Sequence, residues 1–320
     1  MSAEPSPTTG TELAALANRL RKNARHLARW ARREDLDAWR VYDRDIPEFP
    51  YAVDRYGDWL CVQLFEGKRP LSDADIGAHL AVMAEALEVA PARVALKLRR
   101  RQRGSSQYEK LDADGPSFTV RERGRVFEVN LLRYLDTGLF LDHRATRALV
   151  GAEAAGRRML NLFAYTGSFT VYAATGGARE TVTVDMSHTY QAWTARNLAL
   201  NGIADDARHR LVTADVTAWL AASAWRRERY DLIVLDPPSF SNSKRMHDSF
   251  DVQRDHPDLL AATLRLLAPG GTLYFSNNRQ GFRLAPEVEA LARFEDITAR
   301  TVSEDFHRRT PHRCWRVRRE

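Results

Sequence analysis

Residues 158–170 read RMLNLFAYTGSFT, and residues 231–240 read DLIVLDPPSF. In each, an apolar run of strand length stops at a turn that carries chemistry. The first run, 158–163, meets Ala164-Tyr165-Thr166-Gly167 and then a helical stretch over 168–175. The second ends on Asp236 and two prolines. The same alternation recurs around them. A strand at 180–184 ends at Asp185, a helix covers about 188–201, and a strand at 209–213 ends at Asp215. A helix over about 252–267 then precedes Pro269-Gly270-Gly271 and a strand at 272–276. Strands and helices alternating at these lengths specify an α/β fold, a doubly wound parallel sheet covered on both faces. Such sheets bind ligands beyond the carboxyl ends of their strands. Here that rim bears Asp185, Asp215 and Asp236. One acid at a strand end is commonly a helix cap; three in series mark a site.

The turn after the first strand, AYTGSFT, lacks the G-x-G-x-x-G that cradles a pyrophosphate. Its single glycine suits a nucleoside ligand without phosphates. Asp185 stands where an acid of such folds accepts hydrogen bonds from ribose hydroxyls, and Asp215 is placed for an adenine edge. In Asp236-Pro237-Pro238-Ser239-Phe240, two prolines remove backbone donors and stiffen the turn. A carboxylate, carbonyls and an aromatic ring are left to hold a planar base edge-on and face-on.

Ahead of this region the pattern differs. Apolar residues Leu13, Leu16, Ala17, Leu20, Ala24, Leu27 and Ala31 make one stripe of a helix over 13–33. Its other face carries Arg19, Arg21, Lys22, Arg25, Arg29, Arg32 and Arg33, a single-sign surface suited to contacting phosphates or merely to solubilising the helix. Short strands are expected over 40–66, a helix over 72–89, and a hairpin over 117–130 turning at Arg123-Gly124. Between them, residues 94–110, VALKLRRRQRGSSQYEK, read as a short strand feeding a basic loop. That loop bears Lys97, Arg99, Arg100, Arg101 and Arg103, with Tyr108 nearby, a composition suited to single-stranded RNA or to a charged surface turn. At 320 residues two domains are expected: a leader at 1–10, a smaller α+β RNA-binding domain at 11–135, and the α/β domain at 136–320. The net charge of +6 agrees with a polyanionic partner. No run approaches the roughly 20 apolar residues of a membrane span, and MSAEPSPTTG is no secretory signal. Cys61 and Cys314 are too few for a disulfide framework or a zinc site. A cytoplasmic protein with reduced thiols and no metal is expected.

Together NLFAYTGSFT, VDMSHTYQAWTARNLALNG and LDPPSFSNSKRM resemble the class I RNA base methyltransferases. With TGLFLDHR, FDVQRDH and FSNNRQGF, the chain from about Asn18 to Trp315 is more narrowly similar to the guanine-N7 methyltransferase half of the bifunctional bacterial large-subunit ribosomal RNA methyltransferases. The resemblance implies a Rossmann-like seven-stranded sheet, S-adenosylmethionine as cofactor, and 23S ribosomal RNA or a ribosome assembly intermediate as partner. It implies a cofactor site lined by Phe163, Tyr165, Gly167, Asp185, Asp215 and Asp236. Asp142, Asn161, Thr166, Ser168, Met186, Asn197 and Val216 are the neighbouring candidates. In the fused enzymes an RNA-binding and second methyltransferase portion precedes this region, so either a free-standing version binds RNA through its own smaller domain or the chain is a piece of a longer protein.

Methylation of cytosine carbon 5 needs a cysteine nucleophile. The relevant Phe275-Ser276 is followed here by Asn277 and Asn278, which argues against that chemistry. Guanine N7 has a free lone pair and needs no base, so orientation and electrostatics carry catalysis. The candidates are Asp236, Pro237 and Pro238 to position the base, Phe240 to pack on it, and Asn277, Asn278 or Lys244 to donate to O6. By analogy with amino methyltransferases, whose Asp-Pro-Pro type of turn accepts from the amine being methylated, guanine N2 or adenine N6 would suit Asp236 better than N7. Local chemistry alone leaves the atom open, and the whole-chain resemblance favours N7. Rival classes are a nicotinamide oxidoreductase, a small-molecule methyltransferase and a catalytically silent RNA-binding module. His143, in LDHR, could be catalytic but reads first as structural or capping, Trp193 and Trp219 read as core, and 307–319 reads as a final strand with a basic face.

Overall fold

The computed structural model describes residues 8–67, 70–99, 115–203, 206–223, 228–241 and 249–319. Arg100, Arg101, Arg103, Lys244 and the side chain of Arg99, all expected to contact RNA, lie outside the described parts, as do residues 1–7 of the expected leader. The chain forms two compact units. The first holds 8–124, 129–137 and Glu304–Arg309; the second holds Arg125–Glu128, Gly138–Ser303 and 310–319. Assignment of 304–309 to the first unit departs from the expected single division after residue 135.

In the first unit, helix α1 (Gly10–Arg33) buries Leu16, Ala17, Leu20, Leu27 and Ala31 of the expected stripe and Trp30 beside them, while Leu13 and Ala24 are partly buried. It starts earlier than expected. Thr9 and Glu12 form a capping box, which supplies acceptors to the unpaired amides of the first turn. Thr8 donates from its backbone N to Asp75 Oδ1 at 2.8 Å. The leader is therefore ordered from Thr8, and T-x-x-E at 9–12 is the sequence signal for it. Strands β1 (Ala38–Asp43), β2 (Tyr51–Tyr56), β3 (Trp59–Phe65) and β4 (Val94–Arg99) make a four-stranded sheet in that order, antiparallel except for β3 with β4. Helix α2 (Asp73–Ala86) lies between β3 and β4 in sequence. Apolar residues of α1, α2 and β1–β3 share one core, including Leu16, Leu20, Tyr51, Val53, Leu60, Val62 and Met83. Lys97 does not belong to the basic loop. It sits on β4, 2% exposed, and donates to the carbonyls of Tyr134 and Leu135 at 2.8 and 2.9 Å. Strand alternation turns it inward with Ala95.

Strands β5 (Phe118–Glu122) and β6 (Arg125–Val129) flank the Arg123-Gly124 turn and lead into the second unit. Its elements follow as α3 (Arg144–Glu153), β7 (Arg158–Leu162), α4 (Ser168–Thr175), β8 (Glu180–Asp185), α5 (His188–Leu200), β9 (His209–Thr213), α6 (Val216–Ser223) and β10 (Tyr230–Leu235). The paired short strands β11 (Phe240–Ser241) and β12 (Phe250–Asp251) precede α7 (Val252–Leu264), β13 (Leu267–Asn277), β14 (Arg293–Asp296) and β15 (Arg313–Arg318). Seven strands form one sheet, ordered β14-β15-β13-β10-β7-β8-β9, parallel from β13 to β9 and antiparallel at β15 and β14. Apolar clusters lie under helices on both faces, as buried parallel strands require. The Pro269-Gly270-Gly271 turn falls inside β13. Leu267 already pairs with Tyr230, and the register shifts before Leu232 meets Thr272. This is a bulge that lets a proline reside within the strand.

Register aligns the ends that matter. Leu162 pairs with Leu235 and with Val184, and Leu235 with Phe275. Phe163, Asp185, Asp236 and Ser276 therefore each follow one common row at the carboxyl rim.

Candidate active site

The turn after β7 is held in an unusual backbone shape. Phe163, Tyr165 and Gly167 all have positive φ, at 57°, 53° and 73°. For a non-glycine residue this conformation costs about 1–2 kcal/mol, so neighbours must impose it. Asp185 Oδ2 accepts from Tyr165 N at 2.8 Å, and Thr166 Oγ1 donates to the Gly138 carbonyl at 2.6 Å. Asn197 Nδ2 donates to the Thr166 carbonyl at 2.9 Å, and Tyr165 Oη accepts from Gly138 N at 2.9 Å. Gly167 is required where it stands. A Cβ there would lie 2.2 Å from Thr194 Cγ2.

Asp185 closes β8 with both oxygens aimed at backbone donors, Oδ2 to Tyr165 N and Oδ1 to Ser187 N at 2.9 Å. Burial pushes its pKa up to about 6, against the lowering effect of those two amides. A vicinal diol offers such a carboxylate two more donors without burying a second charge. That donor set fits the ribose of adenosylmethionine. Asp215 is partly the helix cap that an acid at that place commonly is. Its Oδ1 accepts from Thr217 Oγ1 at 2.5 Å and from Ala218 N at 2.8 Å. Asn161 is 1% exposed and donates to Thr170 Oγ1 at 3.0 Å, pinning β7 to α4. Asn197, fully buried, also accepts from Glu128 N at 2.9 Å. Val216 belongs to the core. These three candidates shape the turn from behind. Phe163, Tyr165, Ser168, Met186 and Asp215 are only partly covered at the rim.

Across the rim, Asp236 Oδ1 accepts from Ser276 Oγ at 2.7 Å, and its Oδ2 lies 3.3 Å from His143 Nε2. Ser239 Oγ donates to Asn278 Oδ1 at 2.6 Å, tying the Asp-Pro-Pro turn to the end of β13. Phe240 is 44% exposed. Asn277 is 1% exposed; its Oδ1 accepts from Arg279 N at 3.2 Å, while its Nδ2 is buried without a partner. An unpaired buried donor is costly, and it waits here one strand from Asp236.

Sequence reasoning reads His143 as structural and passes over Ser276 and His312. Asp142, one of the cofactor candidates, has Oδ2 at 3.1 Å from His312 Nδ1. The other His312 nitrogen meets Thr301 Oγ1 at 3.1 Å, and its ring stacks on His143 with centroids 4.3 Å apart at 18°. Ligand atoms of Asp142, His143 and His312 lie within 4.8 Å of one another. Near-parallel rings, however, send their in-plane lone pairs side by side rather than to one point, and both His312 nitrogens are engaged. The cluster is a hydrogen-bonded stack.

A parallel sheet with a phosphate-free nucleoside turn at one strand end and an Asp-Pro-Pro turn at the end of the adjoining strand defines an adenosylmethionine-dependent methyltransferase. The chain belongs to the S-adenosylmethionine-dependent methyltransferase family, whose model matches residues 48–296. It is similar to ribosomal RNA large subunit methyltransferase K of Neisseria meningitidis serogroup B, 51% identical over 96% of this chain and 88% of that protein. It is also similar to ribosomal RNA large subunit methyltransferase K/L of Pseudomonas putida, 51% identical over 94% of this chain but only 41% of that longer one. Among solved structures, SMU.776, a methyltransferase complexed with SAH, shares the fold at a TM-score of 0.76 and 22% identity, covering 98% of this chain and 83% of that one. The cofactor is S-adenosylmethionine, which supplies a methyl group on a positively charged sulfur.

Proposed function

We propose that the chain methylates a guanine base of 23S ribosomal RNA, at N7. The Asp236 acceptor at the rim, with the unpaired Asn277 amide on the adjoining strand, carries this reading. A donor set against an acceptor matches guanine, whose O6 accepts and whose neighbouring N–H groups donate. Adenine presents an amine where guanine has O6, and would set donor against donor. N7 holds a free lone pair and needs no proton removed, so the residues have only to orient the base and balance charge. Asp236 and the Pro237 carbonyl, with Pro238 stiffening the turn, position it. Phe240 stacks on its face once the base has left its helix. The names of the Neisseria and Pseudomonas relatives support the ribosomal RNA class.

The RNA backbone is held by exposed Arg21, Lys22, Arg25 and Arg29 of α1 and by the basic segment containing Arg99, Arg100, Arg101 and Arg103. Lys244, a few residues after the Asp-Pro-Pro turn in the sequence, adds a cation. This division makes 11–135 the principal RNA-binding part and 136–320 the methyltransferase part, acting in the cytoplasm on free 23S RNA or an assembly intermediate. The acceptors of the Asp-Pro-Pro turn, Asp236 and the Pro237 carbonyl, also suit an amine, and guanine N2 is the second reading.

Unmodified 23S RNA incubated with labelled cofactor, then digested and analysed by mass spectrometry, tests the proposal. N7-methylguanosine is expected, with transfer abolished and folding kept in Asp236→Ala. Label at N2 selects the second reading, and label on adenine or no transfer rejects both. RNA binding without transfer identifies a silent binding module.

A further inference from the structure

Behind Asp236 lies an arrangement that cofactor and base binding leave unexplained. His143 is buried, with Nε2 3.3 Å from Asp236 Oδ2, while its Nδ1 has no hydrogen-bond partner. A contact between two heavy atoms at that distance, one a carboxylate oxygen, needs a proton on the nitrogen. A bare lone pair on Nδ1 is also the lesser loss, since orphaned buried N–H groups are the rarer kind. Both considerations give the Nε2–H tautomer. The ring is fixed in place, with the His312 ring parallel to it at 4.3 Å and Phe169 edge-on at 5.7 Å. His312 is itself held by Asp142 and Thr301. Burial, the largest cause, lowers the pKa of His143, and the neighbouring Asp236 carboxylate acts against it. That lowering agrees with the neutral Nε2–H form near pH 7 which the contact geometry gives.

We infer that His143 is a positioning residue. Its Nε2–H and the Ser276 hydroxyl, one on each oxygen, lock the Asp236 carboxylate so that its remaining lone pairs face the base. His312, Asp142 and Thr301 buttress the ring and touch no substrate. The inference rests on the reading that Asp236 receives the base, and it assigns the LDHR motif a task that the cofactor does not require. A carboxylate free to rotate would lose alignment, and misplacements on the scale of an ångström cost roughly a hundredfold in rate.

The test uses the whole chain. His143→Phe removes the donor, and His143→Gln keeps an amide N–H near the Nε2 position. Single-turnover methyl transfer to 23S RNA is expected to fall roughly 10- to 100-fold in His143→Phe and to recover most of that in His143→Gln, with SAH affinity by calorimetry unchanged in both. Full activity in His143→Phe, or equal losses in both variants alongside equal losses of thermal stability, overturns the inference. Nitrogen-15 NMR of the wild-type imidazoles gives an arm independent of variant folding. His143 must appear as a neutral Nε2–H tautomer near pH 7, and an imidazolium or Nδ1–H tautomer overturns the inference. If wild-type protein transfers no methyl to ribosomal RNA, the functional reading has failed, while the NMR arm still decides the His143 contact.

Discussion

Replacing Gly167 with alanine tests whether the turn after β7 is the scaffold of the cofactor site. Two costs add. The residue has φ 73°, and holding alanine there costs about 1–2 kcal/mol. The new Cβ would lie 2.2 Å from Thr194 Cγ2 and 2.8 Å from Thr194 Oγ1. Thr194 cannot swing away freely, because its hydroxyl donates to the Tyr190 carbonyl at 3.0 Å inside α5. Overpacking of this kind adds about 1–3 kcal/mol, for roughly 2–5 kcal/mol in all. A second substitution separates the parts. Thr194→Ala removes Cγ2 and Oγ1 but leaves its own Cβ at 3.0 Å, so the double variant recovers most of the steric part and none of the backbone part. The assay is urea denaturation, following the transition that SAH shifts, because ligand binding marks the unit that holds it. Calorimetric SAH affinity is read in parallel. A coupling of about 1–2 kcal/mol between the substitutions is expected. Strict additivity, or a single Gly167→Ala variant within about 0.5 kcal/mol of wild type, refutes the account of the turn.

Asp185 gives a pH signature. Its pKa rises from 3.8 to about 6 on folding, so between those values the folded state binds more protons than the unfolded one. Its contribution is present below pH 4 and lost as pH rises through 6, about 3 kcal/mol over the window. Urea stability of the ligand-free protein therefore falls across that window relative to Asp185→Asn, and parallel curves for the two proteins would contradict the burial argument. SAH affinity should weaken below pH 6, because the diol needs the ionised form. Charge reversal at Arg25 and Arg29, both exposed on α1, should weaken 23S RNA binding and flatten its salt dependence by about one unit for each phosphate released, with SAH affinity unchanged. Phe240→Ala should cut RNA methylation by a factor corresponding to about 1–3 kcal/mol of base stacking and leave stability alone. In the first unit, Arg308→Ala removes a cation 2.9 Å from Asp45, whose side chain is 1% exposed. Thermal unfolding should show that unit weakened while the SAH-shifted transition stays in place.

The α/β half is legible because its short, apolar-rich strands alternate regularly with helices, and β8, β9 and β10 run into Asp185, Asp215 and Asp236. What those acids do is less legible. Asp215 and Asp185 face strand ends as expected, yet each also holds backbone amides, and a sequence does not reveal how a carboxylate divides its lone pairs. Asn161 and Asn197 attract notice as polar groups near the turn, and packing directs both into the buried network behind it. The link between His143 and Asp236 is not legible, for the converse reason. The fold sets the turn just before α3 against the end of β10, a relation that local pattern cannot carry. Lys97 reads as loop charge since lysine is seldom buried, and the carbonyls at 134–135 that accept from it are far away in sequence.

The chain divides into units in space but not in sequence. Residues 304–309 follow almost all of the second unit and belong to the first. There Glu304 meets His26 at 2.9 Å, Asp305 accepts from Arg40 N at 3.1 Å, and Arg308 meets Asp45. Conversely, 125–128 precede the last stretch of the first unit and belong to the second, where Glu128 anchors Asn197 and pairs with Arg196 at 2.5 Å. A cut near residue 137 would thus strip the first unit of the arginine facing a buried carboxylate, the kind of loss that costs several kcal/mol when no other partner compensates. Here Asn23 and Arg19, at 2.9 and 3.9 Å, compensate in part. The same cut would take from the second unit the segment that pins Asn197, and with it the residue that holds the Thr166 carbonyl of the cofactor turn. The integrity of the active site therefore depends on residues that precede the α/β region in the chain.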